Sequence, residues 1–330
     1  MFKIVDLIIP TYKARETLPS ALDSLVAQTK KLFIVTIVQD ADGEDYTDII
    51  QKYRERGLVI RHLQMEENGG PGAARQYGMD TDLKSEFFMF MDADDLLNPR
   101  AIEVLSREIK LNNADVITSN FLVTNKDGTS LVMDVESTPC TWCHGKMYRA
   151  QYLRDAKIRF LPGLRLNEDS YFNLVAVNTT CNKIKLREVT YIWHRNDNSL
   201  TRADGDDGFF IKSWEGYIRS QVWGLKDLGE RTKAIEPGLV AATLINIYSH
   251  HMKALSELFN SKCRIEDFKD AKAELKLLKD DPNVKNALKD KEFWYYLCRH
   301  LMGCEKVGDS VVFYKMRFID WLKEYIVEAE

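Results

Sequence analysis

Three carboxylates follow an unbroken apolar run in Phe87-Phe88-Met89-Phe90-Met91-Asp92-Ala93-Asp94-Asp95. Five apolar residues in succession predict a strand buried on both faces, with acids presented at its end. In an extended chain residues i and i+2 point the same way, so Asp92 and Asp94 are expected to face one spot. Two carboxylates that close repel each other unless a proton or a cation intervenes. A hard divalent ion, Mg2+ or Mn2+, takes such oxygens and keeps positions open for phosphate oxygens. A solvated turn whose acids cap the helix after Pro99 is the other use of the same residues. A second strand ends Val38-Gln39-Asp40. Asp40 there can accept an N–H from a pyrimidine ring or close an Asx turn.

Between these acids lies Glu67-Asn68-Gly69-Gly70-Pro71-Gly72-Ala73-Ala74-Arg75. Its glycines, Gly70 among them, predict a tight loop and a close backbone approach. Arg75 falls on the first turns of the helix that follows, where a guanidinium can reach a diphosphate. No Gly-Lys-Ser/Thr follows and the G-x-G-x-x-G spacing is absent, so this is neither a P-loop nor a dinucleotide turn. Glu168 and Asp169, taken alone, are a pair of acids in a helix's first turn, favoured by its dipole. Cys140, Cys143 and His144 offer three zinc ligands, but no second C-x-x-C accompanies them. Six cysteines in 330 residues are expected to be reduced thiols.

These side chains need a scaffold, and the first half of the chain predicts an α/β one. Strands are expected over 4–9, 33–39, 58–64, 87–92 and 115–123, with helices over 15–28, 45–56, 71–81 and 99–112. Pro71 and Pro99 fit first helical turns. Such alternation implies a Rossmann-like, mostly parallel sheet that binds ligands outside the carboxyl ends of its strands. After a polar stretch at 201–208 the spacing turns helical, notably over 267–279, 291–302 and 307–327. Two domains are therefore expected, 1–208 and 209–330, the second α-helical. Its aromatics would serve a core or the interface of a homo-oligomer. Forty-six basic and fifty acidic residues leave a net charge of −4, which argues against a protein that rides bare phosphate backbones. The opening MFKIVDLIIP is broken by Asp6 and stopped by Pro10, as suits a first strand rather than a signal segment. No stretch reaches the ~18–20 apolar residues that span a bilayer. A cytoplasmic location without a transmembrane segment is expected, with peripheral attachment at the inner face of the membrane left open.

The order of the motifs resembles the family 2 glycosyltransferases with the GT-A fold. It runs Ile8-Ile9-Pro10-Thr11-Tyr12, Val38-Gln39-Asp40, Asn68 to Arg75, Asp92-Ala93-Asp94, Gly145-Lys146-Met147-Tyr148-Arg149, Leu166-Asn167-Glu168-Asp169-Ser170-Tyr171-Phe172 and Tyr191 to Thr201. The likeness covers about the first 200 residues. It implies transfer of a sugar from a nucleotide diphosphate sugar, UDP-linked by analogy, to an acceptor hydroxyl. Pro10, Thr11, Tyr12, Asp40, Gly70, Arg75, Asp92, Ala93 and Asp94 would bind the donor, with Trp142, His194 and Ser199. Mn2+ or Mg2+ would sit on Asp92 and Asp94, reached by His194. Asp169 would be the general base, supported by Glu168, and displacement by one base inverts the anomeric carbon. Trp142 and His144 would line the acceptor side, and the stretch 196–208 would close over the donor. Two departures stand out: Gln39 replaces an acid common in the family, and Asp40-Ala41-Asp42 replaces its Asp-Gly-Ser turn.

The acceptor class the resemblance implies is a bacterial surface polymer, teichoic acid or polysaccharide. A phage-type enzyme acting on cell wall, protein or a hydroxylated DNA base is a narrower option. A non-catalytic nucleotide-sugar-binding or assembly protein is the alternative from another class. A nucleotidylyltransferase would need a glycine-rich basic loop near the N-terminus, and residues 10–17 (PTYKARET) contain no glycine.

Overall fold

The first apolar run forms β1 (Val5–Thr11). Strands β2 (Phe33–Gln39) and β4 (Phe87–Phe90) lie parallel on its two sides, and β3 (Ile60–Gln64) lies parallel beyond β2. The computed structural model describes residues 4–81, 84–125, 129–134, 142–194, 207–260, 269–304 and 318–327. The expected stretch 196–208, with Ser199, thus lies almost wholly outside the described residues, as does Cys140.

Helices α1 (Leu18–Val26), α2 (Thr47–Glu55) and α3 (Pro71–Thr81) join these four strands. A parallel neighbour requires such a crossover, and each helix supplies one. Past β4 come β5 (Leu96–Leu97), α4 (Ala101–Leu111), β6 (Val116–Thr124), β7 (Ser130–Met133), β8 (Lys146–Arg149), α5 (Ala150–Asp155), α6 (Glu168–Asn178) and β9 (Lys183–His194). The strand order is β3-β2-β1-β4-β8-β6-β9-β5, with β7 paired to β6. The sheet is parallel in its first half and mixed in its second. Strand β8 runs antiparallel to both β4 and β6, β9 is parallel to β6, and β5 is antiparallel to β9.

Alternation decides what each face of β1 does. Val5, Leu7 and Ile9 share a core with Leu18, Leu22 and Leu25 of α1. On the other face Ile8 meets α3 at Gly78, where a Cβ would fall 2.8 Å from Ile8 Cγ2. That glycine seats α3 close against the sheet. Asp6 is fully buried, yet its carboxylate accepts the Thr36 hydroxyl at 2.6 Å and pairs with Arg61 at 2.8 Å. The acid that interrupts the opening apolar run is thus a satisfied structural group.

The chain divides into two units, Met1–Asp197 and Asn198–Glu330. The described part of the second is helical: α7 (Asp207–Arg231), α8 (Pro237–Asn260), α9 (Lys269–Lys279), α10 (Pro282–Lys289), α11 (Lys291–Cys304) and α12 (Phe318–Tyr325). Val222, Leu244, Leu275, Phe293 and Trp321 share its core. Trp321 donates its indole N–H to His251 Nδ1 at 2.9 Å, which satisfies that buried donor. Asp281 caps α10 ahead of Pro282 by accepting the Asn283 and Val284 N–H groups. No helix among the described residues is long and apolar enough to cross a membrane.

Candidate active site

Regular strand pairing in β4 stops at Phe90, two residues before the acids. Asp92 to Asp95 then form a turn closed by the Asp95 N–H on the Asp92 carbonyl at 3.2 Å. The alternation expected of an extended chain therefore does not reach them. The turn brings Asp92 and Asp95, its first and fourth residues, to the same His144. Ala93 is buried, and Asp94 is half-buried.

Arg75 is 4% exposed and spans two acids from distant parts of the chain. One guanidinium nitrogen lies 2.6 Å from Asp92 Oδ1, the other 2.6 Å from Glu168 Oε1. Gly72 makes this possible, because a Cβ there would fall 2.7 Å from Glu168 Cγ. Burial alone would raise the Asp92 pKa, but Arg75 and His144 hold the carboxyl well below the usual carboxylate range. Burial lifts Glu168 above its ordinary value against the pull of Arg75. The Arg75 guanidinium thereby ties α3, the β4 end and α6 together.

Asp169 follows Glu168 in the first turn of α6 and is half-buried. Its carboxyl is pushed up to about 7, chiefly by burial and then by the charge of Glu168. A carboxylate poised there exchanges protons near neutral pH, as a general base requires. Its backbone carbonyl accepts the Asn173 amide at 2.8 Å. Cys143, in contact with the same Asn173, has its thiol pushed up to about 12 by burial, so it is no ready metal ligand.

On the other side of Asp92 stands His144. Its Nε2 lies 3.8 Å from Asp92 Oδ2 and 3.8 Å from Asp95 Oδ2. Burial lowers its pKa against the pull of Asp92. The Tyr191 hydroxyl donates to Asp95 Oδ2 at 2.6 Å and accepts the Asp92 N–H at 3.1 Å. Asp95 also accepts the His194 backbone N–H at 2.9 Å, and burial with the charges of Asp92 and Asp94 raises its pKa well above normal. Asp92, Asp95 and His144 each offer a ligand atom, and these atoms lie within 4.8 Å of one another. Asp94 and His194 are outside that group; the His194 ring lies 2.7 Å from the Thr124 hydroxyl through Nδ1. Two crowded carboxylates beside an imidazole fit a divalent cation.

Asp40 is buried at the end of β2. Its carboxylate accepts the Gly69 N–H at 2.7 Å, the Gly70 N–H at 2.8 Å and the Asn68 amide at 3.1 Å. It shapes the glycine loop, in which Gly70 adopts φ +85°. Arg165 straps the same loop, donating to Asn68 Oδ1 at 3.0 Å and to the Asn68 carbonyl at 2.5 Å. Pro10 is half-buried; Thr11 is buried, its hydroxyl on the Val38 carbonyl at 3.3 Å; Tyr12 is exposed. Asp42 accepts the Lys13 N–H at 2.7 Å and the Glu44 N–H at 3.0 Å, with the Tyr46 hydroxyl at 2.7 Å, and so joins the β1 and β2 ends. Trp142 is half-buried against Phe121 and His144.

Residues 6–165 match the sequence profile described as glycosyl transferase family 2. The N-terminal unit is thus similar to the family 2 glycosyltransferases. It is 30% identical over 182 residues to TarS, a poly(ribitol-phosphate) beta-N-acetylglucosaminyltransferase of Staphylococcus aureus. That stretch is 51% of this chain and 31% of TarS. EpsJ of Bacillus subtilis, an uncharacterized glycosyltransferase, is 26% identical over 221 residues, 61% of this chain and 64% of EpsJ. The chain thus spans less than two thirds of either relative. In fold it is similar to S. aureus TarS 1–349, solved with UDP-GlcNAc, at a TM-score of 0.64 and 19% identity over 91% of this chain and 92% of that one. Mannosyltransferase PcManGT of Pyrobaculum calidifontis, solved with GDP-Man and Mn2+, matches at a TM-score of 0.53 and 12% identity, over 94% and 89% of the two chains. The fold is GT-A.

Within this domain, three residues that the motifs did not single out as site residues lie at the site. Asp95 and Tyr191 gather around Asp92, beside His144, and Arg165 holds the glycine loop. The visible signals were an acid directly after the Asp-x-Asp motif and an aromatic in the late strand.

Proposed function

We propose that this chain is an inverting glycosyltransferase that moves a sugar from a UDP-sugar, N-acetylglucosamine by likeness to TarS, to a hydroxyl of a polyol-phosphate polymer such as teichoic acid. The observation that carries it is Asp169, a carboxyl raised to about 7 beside the Glu168–Arg75–Asp92 bridge. The bridge holds a candidate base at a fixed place relative to the strand-end acids, and donor and acceptor would meet between them. Asp169 takes the acceptor hydroxyl proton as the oxygen attacks the anomeric carbon. The new glycosidic C–O bond forms as the bond to the diphosphate oxygen breaks, so configuration inverts. Negative charge grows on the leaving diphosphate, and Asp92, Asp94 and Asp95 are the residues that would hold a divalent ion, Mn2+ or Mg2+, supplying positive charge there. Asp40 and Arg165 keep the glycine loop open to the nucleotide, with Pro10, Thr11 and Tyr12 at the neighbouring strand end.

A cytoplasmic location follows from the same reading and is supported by Cys143, Cys181 and Cys298, free thiols that suit a reducing compartment. The helical unit is assigned to self-association or acceptor positioning. Full-length protein incubated with a panel of nucleotide sugars and Mn2+ tests the proposal through hydrolysis and thermal stabilisation. Selective hydrolysis of one UDP-sugar is expected. Stabilisation by donors with no hydrolysis or transfer would favour a binding protein instead.

A further inference from the structure

Lys13 and Ala41 both take left-handed backbone, each at φ +50°. They stand just past the ends of β1 and β2, which are neighbours in the sheet. A Cβ makes that conformation unfavourable, and alanine has no polar group with which to offset it locally. Such backbone persists only where its surroundings over-determine it. Both positions follow residues assigned above to the nucleotide: Tyr12 precedes Lys13, and Asp40 precedes Ala41.

The surroundings converge on one carboxylate. Asp42 Oδ2 accepts the Lys13 N–H at 2.7 Å and the Tyr46 hydroxyl at 2.7 Å. Its Oδ1 accepts the Glu44 N–H at 3.0 Å and the Gln39 amide at 2.5 Å. A hydroxyl at this position has two lone pairs, whereas a carboxylate can take all of these donors. Burial alone would raise the Asp42 pKa, but the Tyr46 hydroxyl, the Gln39 amide and the two N–H groups hold it below its ordinary value. The bonds are therefore charge-assisted. The donors are themselves fixed. Tyr46 is 1% exposed; its hydroxyl also accepts the Ala14 N–H at 2.9 Å and stands nearer to Asp42 than to Glu44 Oε2, at 2.9 Å. Gln39 donates to the Glu44 carbonyl at 2.7 Å, and its Oε1 accepts the Gln64 amide at 3.0 Å and lies 3.1 Å from His62 Nε2.

We propose that Asp42 is a positioning residue, which clamps the backbone at Lys13 and Ala41 and so sets Tyr12 and Asp40 in place for the nucleoside half of the donor before the donor arrives. The inference rests on the nucleotide-sugar reading above and adds to it a residue that acts through others. A clamp of this kind shows as affinity. When it is lost, fewer molecules hold both strand ends in place, and the apparent dissociation constant rises by the same factor.

The test uses the full chain and UDP in calorimetric titration, with hydrogen exchange read at the Lys13 and Glu44 amides. Asp42→Ala should raise the Kd for UDP about 10-fold, as when the competent fraction falls to about a tenth, and should speed exchange at both amides. Adding Ala41→Gly to Asp42→Ala should recover part of the affinity, because glycine takes positive φ without a clamp. A loss through general destabilisation would not recover on that change. Unchanged UDP affinity in folded Asp42→Ala, unchanged exchange at Lys13, or a loss that Ala41→Gly leaves in full would overturn the proposal. Should Asp42→Ala fail to fold, Asp42→Asn decides, because its NH2 group faces donors where an oxygen accepted them. Weaker UDP binding in it supports the clamp, and binding equal to wild type overturns it. UDP binding and sugar transfer that ignore both changes at Asp42 would sink this inference alone. Binding of another nucleoside diphosphate in place of UDP would sink the UDP reading alone, with the clamp then read on that nucleotide. A wild type that binds no nucleoside diphosphate would overturn both.

Discussion

Arg75→Met separates a structural bridge from a mere neighbour. The substitution keeps the aliphatic stem and removes the charge that Glu168 and Asp92 share at 2.6 Å each. Breaking a buried ion pair by removing one partner costs about 3–5 kcal/mol. The Glu168 side chain is 7% exposed, but that of Asp92 is 36% exposed, so water screens part of the loss and the lower figure applies. About 3 kcal/mol corresponds to a drop of about 6–12 °C in the melting of a unit of this size. The loss should depend on pH. In wild type the Asp92 pKa is depressed, so its contribution is present above the unfolded value and fades as pH falls through the folded one. In the variant both acids lose their shared cation, their pKa values rise, and protonation relieves them. The gap between the two proteins should therefore narrow from about pH 7.5 to about pH 5. Calorimetry of both proteins across that range reads it directly. A loss below about 1 kcal/mol near neutral pH, or one of equal size at both ends of the range, would refute the bridge as a charge-based clamp.

Asp169→Asn should lower turnover by about 10²–10⁴-fold while sparing donor affinity, because the amide keeps the shape but accepts no proton. In wild type the rate should rise with pH through about 7, where Asp169 loses its proton, and a flat profile there would remove it as the base. Gly72→Ala puts a Cβ 2.7 Å from Glu168 Cγ. Overpacking of about 1–3 kcal/mol should outweigh the ~1 kcal/mol that alanine otherwise gains over glycine in a helix, and urea unfolding measures the sign. Trp294, Tyr295 and Tyr296 on α11 are exposed, so light scattering of the full chain should give a mass above the 38.2 kDa monomer, reduced by Tyr295→Glu. A monomer at every concentration would end the self-association assignment.

Much of the scaffold was legible in the chain because its signals are local. The apolar run before Asp92 predicts a doubly buried strand, and β4 is one. Pro71 opens α3, which ends at Thr81 as its spacing predicts. Three crossover helices imply parallel neighbours for β1, β2 and β3, and the sheet has them. Alternating motifs alone also carried the family, since each is a short segment whose residues lie side by side. Which side chains meet was another matter. That Asp92 and Asp95 reach the same His144 depends on where the strand gives way to a turn, which apolar patterning does not encode. Arg75 finds Glu168 across 93 residues, and only the packing of α3 against α6 at Gly72 brings them together. His144 reads locally as a residue beside cysteines; its place between Trp142, Tyr191 and two carboxylates comes from β8 and β9 lying on either side of β6. Backbone preference is written residue by residue, whereas the convergence of charges is a property of the path the whole sheet takes, and that path exists only once the strands have paired.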